Sequence, residues 1–348
     1  VPDQPLPDQP TLDESHLTSG TTSPFLSGTK VQFAWDSTSL GYLKTCPRLY
    51  QYTILDGWSS RHESVHLRFG GEYASALEHF NHLRAEGGHY EDCVRSCVAK
   101  LLSSTSDWIV DEDTKAGKYK NRDSLVGLVV DYLDHFRDDP CQTYILDSGK
   151  PAVELSFRFE LDWGPTYRRT EFIAELGSEA EISDESIPYL LCGHLDRVVT
   201  FNDQLFVMDQ KTTSTTLGDR YFDQYEPHNQ MTLYTLAGQV ILNAPVKGVI
   251  IDAAQIMLEK PNRFVRGFTY RTQDQLDEWL LDLRFWLNIA ESYADSGYWP
   301  MNDTACDKFG GCRFREVCSK SPEVRDQFLR ADFIQLEEDD RWNPLRSR

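Results

Sequence analysis

No stretch of this 348-residue sequence stays apolar for the roughly 18 residues that a membrane span requires, so the chain is not expected to cross a bilayer. Cationic residues are in short supply: 35 Lys and Arg stand against 55 Asp and Glu, a formal net charge of −20. Such a balance argues against indiscriminate coating of nucleic acid, although it is compatible with a local basic groove. Val1 is followed by no charged-then-apolar leader, so a secretory route is not expected. The eight cysteines therefore read as buried thiols or metal ligands in a reducing, cytoplasmic setting before they read as disulfides. The paired CxxC knuckles of structural zinc sites are missing as well. What is present is 40% hydrophobic content, enough for one large domain or two small ones.

The most informative stretch is Gly193 to Thr213, GHLDRVVTFNDQLFVMDQKTT, in which two alternating apolar runs flank Asn202-Asp203. Alternation around such a pair predicts a β-hairpin closed by a two-residue turn. A turn at that pair sets Asp196 across from Asp209 and His194 across from Lys211, with all four side chains on one face. Val198, Thr200, Leu205 and Val207 share that face, so it is expected to be buried near the turn, with the acids gathered at the far end. Opposed carboxylates about 5 Å apart at Cβ repel unless a cation or proton separates them, and that spacing suits a bridged divalent cation. The competing reading is a solvated hairpin face.

Along the rest of the chain, residues 1–30 are rich in Pro, Ser, Thr, Gly and Asp and read as a flexible arm. Asp36 or Ser37 can cap a helix whose buried face includes Leu40, Leu43 and Tyr50. Residues 62–139 are helical by pattern, and residues 152–161 alternate as a strand with Val153, Leu155, Phe157, Phe159 and Leu161 on one side. The acidic stretch 162–188 looks like an inserted loop. A polar linker follows the hairpin. The segment QMTLYTLAGQVIL then predicts a helix with Gln230 and Tyr234 one turn apart, stopped by Pro245 before a buried strand. Residues 273–294 form an amphipathic helix whose stripe of Leu276, Trp279, Leu280, Leu283 and Leu287 is core. In CDKFGGCRFREVC, residues 306–318, five residues separate each cysteine from the next.

Taken together, the order of CPRLY (Cys46 to Tyr50), GHLD (Gly193 to Asp196), DQK (Asp209 to Lys211), QMTLY (Gln230 to Tyr234) and the cysteine trio resembles the RecB-like, iron-sulfur branch of the PD-(D/E)XK nucleases. AddB nuclease domains, CRISPR-associated RecB-like exonucleases and stand-alone phage versions are its nearest likenesses. The resemblance covers about residues 36–320. It implies an α/β fold in which a PD-(D/E)XK nuclease core, a mixed β-sheet flanked by helices, carries a helical insertion and a C-terminal Cys-rich iron-sulfur staple. The corresponding division is an arm at 1–30, a nuclease domain at 31–330 and a charged tail at 331–348, expected to be loose from Glu337 onward. Within the domain the helical part covers about 60–140, the catalytic core about 150–260 and the cluster-binding end about 300–320.

The same resemblance implies that Asp196 and Asp209, with the backbone carbonyl of Gln210, bind Mg²⁺ or Mn²⁺ and that Lys211 holds or activates the attacking water. Gln230 and Tyr234 would position the strand being cut. Cys46, Cys306, Cys312 and Cys318 would ligate a [4Fe-4S] cluster, although the trio is more widely spaced than in familiar relatives. The family's helical FGxxxH motif departs here: Phe69-Gly70 is followed by Ala74 where the His should stand. Glu72 and Glu78 are candidate substitutes, and His79 and His82 are expected on the surface. The expected activity is a DNA exonuclease acting on single strands or duplex ends, in a bacterial or phage-infected cell, with a helicase or recombinase as candidate partner. The rival is a catalytically weakened scaffold or DNA-end-binding subunit.

Overall fold

In the computed structural model, residues 23–111, 113–165, 187–308 and 311–346 are described. The chain runs through β1 (Ala34–Trp35), α1 (Ser37–Thr45), α2 (Pro47–Tyr50), a π-helical turn at Gln51–Leu55 and β2 (Trp58–Ser60). A helical lobe follows: α3 (Val65–Ala85), α4 (Tyr90–Ser104), α5 (Lys115–Tyr119) and α6 (Arg122–His135). Then come β3 (Gln142–Thr143), β4 (Val153–Glu160), β5 (Leu190–Phe201) and β6 (Gln204–Thr213). They are succeeded by α7 (Asp219–Asp223), α8 (Asn229–Leu242), β7 (Val246–Gln255), β8 (Arg263–Tyr270) and α9 (Gln273–Ser296). The chain closes with α10 (Arg315–Ser319), α11 (Arg325–Asp332) and β9 (Phe333–Gln335).

Seven strands make one mixed sheet in the order β1-β5-β6-β7-β8, with β3 and β4 on the other edge of β5. The predicted hairpin is present in the predicted register, with Arg197 facing Met208 and Phe201 facing Gln204. Asn202 and Asp203 both take positive φ, 49° and 59°, the conformation a two-residue turn needs to match strand twist. On its side away from β3 and β4, β5 pairs with β1 at Leu190 and Leu191 and with β6 from Arg197 onward, so among the described residues no strand lies beside the stretch between. Past Met208, β6 continues along β7 in parallel, Asp209 facing Ile251 and Lys211 facing Ala253. The two hairpin strands thus part at Asp196 and Asp209. A fork in the sheet results.

Alternation along β6 sends Val207, Asp209 and Lys211 to one face and Met208, Gln210 and Thr212 to the other. On the first face lies α8, where a Cβ at Gly238 would sit 3.1 Å from Val207 and 3.2 Å from Val246. The apolar stripe of α9, Trp279, Leu283 and Leu287, joins the same core. The helical lobe covers the second face, with Phe69, Tyr73, Leu77, Leu125 and Leu128 packed against Ala254 and Ile256. A buried charge network rivets the lobe to the sheet. Asp139 accepts two hydrogen bonds from Arg266, at 2.5 and 2.9 Å, and lies 3.6 Å from Arg197. Asp252 takes Arg266 Nε at 3.2 Å and the hydroxyl of Tyr132 on α6.

Asp36, one of the two candidate caps, caps α1, and does so through a reciprocal box with Ser39. Two other expectations differ in outcome. Residues 23–30, read as part of a flexible arm, include Phe25 and Leu26 packed on the core, while 1–22 lie outside the described residues. Residues 337–346, read as loose, are docked: Trp342 Nε1 donates to Asp36 at 3.0 Å and Arg158 donates to the Leu345 carbonyl at 2.7 Å, and just before them β9 pairs with β2. The inserted loop at 162–188 lies for the most part outside the described residues. Among them, no helix is long and apolar enough to cross a membrane.

Candidate active site

Asp209 is buried, 1% exposed, and its Oδ2 lies 2.6 Å from Lys211 Nζ, a close ion pair. Asp196 stands at the next position of the hairpin register, where its Oδ2 accepts the Gln210 N–H at 3.0 Å. Burial pushes the Asp209 carboxyl up, and the Lys211 ammonium beside it offsets only part of that rise. Burial alone would pull Lys211 down, but Asp209 and Asp196 outweigh it and keep the ammonium charged. Lys211 Nζ also donates to Gln230 Oε1 at 3.4 Å, and Gln230 Nε2 donates to the Tyr234 hydroxyl at 2.9 Å. The structure thereby joins Asp209, Lys211, Gln230 and Tyr234 into one chain of contacts. His194, expected opposite Lys211, instead shares a 2.9 Å hydrogen bond with Ser156 on β4.

A further acid escaped the sequence reading. In the β4–β5 ladder Val153 faces Arg197 and Leu155 faces Leu195, which leaves Glu154 opposite Asp196. Glu154, Asp196 and Asp209 thus occupy one row across three neighbouring strands. Glu154 also adopts φ 50°, a left-handed conformation that costs a non-glycine residue energy and concentrates at functional sites. The alternation of VELSFRF already placed Glu154 on the face away from Phe157; its register against β5 was the missing piece. The candidate substitutes for the motif His fare otherwise. Gly70 on α3 lies over Thr212, on the opposite face from Lys211. Glu72 accepts from Ser104 on α4 and Glu78 is half-buried further along α3; His79, expected on the surface, is half-buried against Ser96 of α4.

Hard carboxylate oxygens at a fork, one of them buried without a hydrogen bond, suit a divalent cation of the Mg²⁺ or Mn²⁺ kind. Among the described residues, no three His, Cys, Asp or Glu side chains already converge as a metal cage. The two aspartates and the Gln210 carbonyl, expected as ligands, do not by themselves close such a cage.

Elsewhere, Cys46 is the residue preceding α2, Cys312 N–H donates to the Cys306 carbonyl at 2.8 Å, and Cys318 lies on α10. Burial first, then the neighbouring Cys312 and Cys46, raises the Cys306 thiol. Burial raises Cys318 too, against the pull of Arg48 and Arg325, with Cys312 and Cys46 adding to the rise. These groups act on one another electrostatically, but among the described residues no three of the cysteines converge as a metal cage. The remaining four cysteines, Cys93, Cys97, Cys141 and Cys192, are buried.

The model of the PD-(D/E)XK nuclease superfamily matches residues 37–319, from the first helix to the last cysteine. The chain belongs to that superfamily. Its members usually act with a divalent cation, and its mixed sheet flanked by helices is the fold found here. Among solved structures, a Eubacterium rectale protein carrying a provisional exonuclease name is 13% identical, with a TM-score of 0.44 over 85% of this chain and 92% of that one. The protein SSO0001 is 11% identical, with a TM-score of 0.31 over 84% and 89%. Overlays this loose carry no argument, and the family assignment rests on the sequence match. No curated protein matches the sequence.

Proposed function

We propose that this nuclease-superfamily protein hydrolyses phosphodiester bonds in DNA as a metal-dependent exonuclease. The observation that carries the reading is the 2.6 Å approach of Lys211 to the buried Asp209, with Asp196 beside them where the sheet forks. A scaffold gains little from burying Asp209 beside the half-buried Asp196 and Lys211, because desolvating charges is costly unless they serve a purpose. Asp196, Asp209 and the Gln210 carbonyl would hold Mg²⁺ or Mn²⁺, which when bound polarises the phosphate and makes hydroxide available at neutral pH. Lys211 holds the attacking water against the phosphorus and offsets charge on the phosphate. Gln230 fixes the ammonium in place, and Tyr234 fixes Gln230.

Asp209→Ala should abolish Mn²⁺-dependent cleavage while the fold, followed by circular dichroism, is retained. Lys211→Ala should slow cleavage by about 10². A second reading, a scaffold or DNA-end-binding subunit with weakened catalysis, is favoured by Ala74 at the position of the motif His and by a cage left unclosed among the described residues. It prevails if wild-type protein degrades neither single-stranded nor duplex DNA at any Mn²⁺ concentration and Ala74→His restores no cutting. We further infer that Cys46, Cys306, Cys312 and Cys318 hold an iron-sulfur cluster in a structural role. The nearby Arg48 and Arg325 support that reading.

A further inference from the structure

In a chain of net charge −20, one corner of the helical lobe holds two basic side chains with no acid to answer them. Lys120, between α5 and α6, is only 6% exposed, although a buried lysine is ordinarily paired. Its ammonium lies over the Phe69 ring of α3, 5.4 Å from the centroid, and no hydrogen bond or ion pair reaches it among the described residues. Burial pulls its pKa below that of an ordinary lysine, and no acid acts to restore the charged form. A ring face returns only part of what an ammonium loses on leaving water. The exposed His66 stands one turn before Phe69 and Gly70 on α3, and burial, then Lys120, lowers its imidazole, again with no acid acting.

This is also where α3 begins. Ser64 precedes it without a side-chain cap bond and no acid occupies its first turn, so the leading N–H groups of a 21-residue helix keep their partial positive charge. The preceding acid, Glu63, is engaged 3.4 Å from Arg68, which holds Asp107 at 2.8 Å as well. The corner flanks the strand that carries the site: a Cβ at Gly70 would lie 3.9 Å from Thr212 Oγ1, and Thr212 follows Lys211 on β6.

We propose that Lys120, His66 and the open first turn of α3 form a second anion site, which takes a backbone phosphate of the DNA strand a few nucleotides from the one being cut. The inference rests on the nuclease reading above and adds a substrate contact to it. A phosphate supplies the negative charge and acceptor oxygens that Lys120 lacks, at a helix end that favours an anion. The contact is to the backbone, so it is blind to base sequence. It lies away from the bond that breaks and therefore acts on KM and not on kcat. Without DNA the unpaired ammonium burdens the fold. Removing its charge should thus stabilise the free protein and weaken the complex.

The test follows binding of a fluorescent single-stranded oligonucleotide to the full chain by anisotropy, in EDTA so that the strand stays intact, over a series of KCl concentrations. Lys120→Met keeps the stem and removes the charge. It should weaken binding about three- to tenfold and lower the slope of log Kd against log salt by about 0.7, one phosphate's share for a single strand. Without DNA the same variant should unfold at the same or a higher urea concentration than wild type. Lys120→Arg, which keeps the charge, should keep the slope. With Mn²⁺ the loss in Lys120→Met should appear in KM on long oligonucleotides, with kcat unchanged. Two results overturn the inference while leaving the nuclease reading intact. One is a Lys120→Met protein that unfolds at lower urea concentration yet binds DNA with wild-type affinity and slope, which would make the ammonium a partner of the Phe69 ring alone. The other is a Lys120→Met protein that loses a stabilisation by inorganic phosphate seen in wild type while keeping wild-type DNA affinity, which would make the corner a site for free anions. A wild-type protein that binds no DNA at any salt concentration would remove the nuclease reading, and this inference with it.

Discussion

Gly267 faces Ile251, which in turn faces Asp209, so replacing Gly267 by Ala would strike the site through packing alone. The new methyl carbon would lie 2.1, 2.6 and 2.7 Å from Cδ1, Cε1 and Cγ of Phe222, whereas carbons at rest stand about 3.5–4.0 Å apart. The ring must therefore withdraw by about 1.5 Å. It belongs to the five-residue helix α7, whose following Tyr225 is pinned by Arg271 and Thr269, so the displacement is resisted. Inserting a methylene-sized group into a packed site costs about 1–3 kcal/mol, and Gly267→Ala should lower stability by that amount in urea unfolding without changing the m-value. Because Phe222 is half-buried, Phe222→Ala alone should cost about 2 kcal/mol. In the double variant the methyl occupies space the ring has left, so the two changes should couple favourably by about 1–2 kcal/mol. DNA cleavage should fall in Gly267→Ala and partly return when Phe222 is also trimmed. Free energies that simply add, within about 0.5 kcal/mol, would refute the account of α7 as held by that contact.

Three other outcomes are expected. Asp139→Ala removes the acid shared by Arg197 and Arg266, and two buried guanidinium groups left short of a partner should cost about 3–5 kcal/mol by denaturant titration. Burial, with the charges of Lys211 and Arg271, depresses the His228 imidazole, so below about pH 6.5 the unfolded chain binds a proton that the folded one refuses. Stability should accordingly fall as pH drops through that value, and His228→Gln should flatten the fall; identical pH dependence in the two proteins would exclude His228 as its source. Anaerobically purified protein should be brown with about four irons per chain, and Cys46→Ala should lose both colour and folding stability. Stoichiometric zinc without iron would count against the cluster.

Much of the site was legible because its signals are local. Asn202-Asp203 between two alternating runs fixes the turn, and the turn fixes which side chains oppose. Gln230 and Tyr234 follow from helical spacing within α8. Glu154 was hidden because its importance lies in register against a strand more than thirty residues away and in a left-handed backbone that alternation does not reveal. The docked end was hidden for another reason: Arg341, Trp342 and Leu345 hold it through a few long-range hydrogen bonds, which leave no pattern in sequence.

That docking sets an order of events in folding. The small core around the cysteines draws Tyr52 and Trp58 from one part of the chain and Phe314, Val317, Leu329 and Phe333 from another, and β2 finds its only strand partner among the described residues in β9. A ribosome-bound chain that has reached β8 can pair the main sheet, but it still exposes Trp58 and an unpaired strand edge. Contacts this distant in sequence form late and leave adhesive surface uncovered meanwhile. Until residue 335 has been made, the half-finished protein is therefore a client for chaperones at the cysteine end, however well ordered its fork has become.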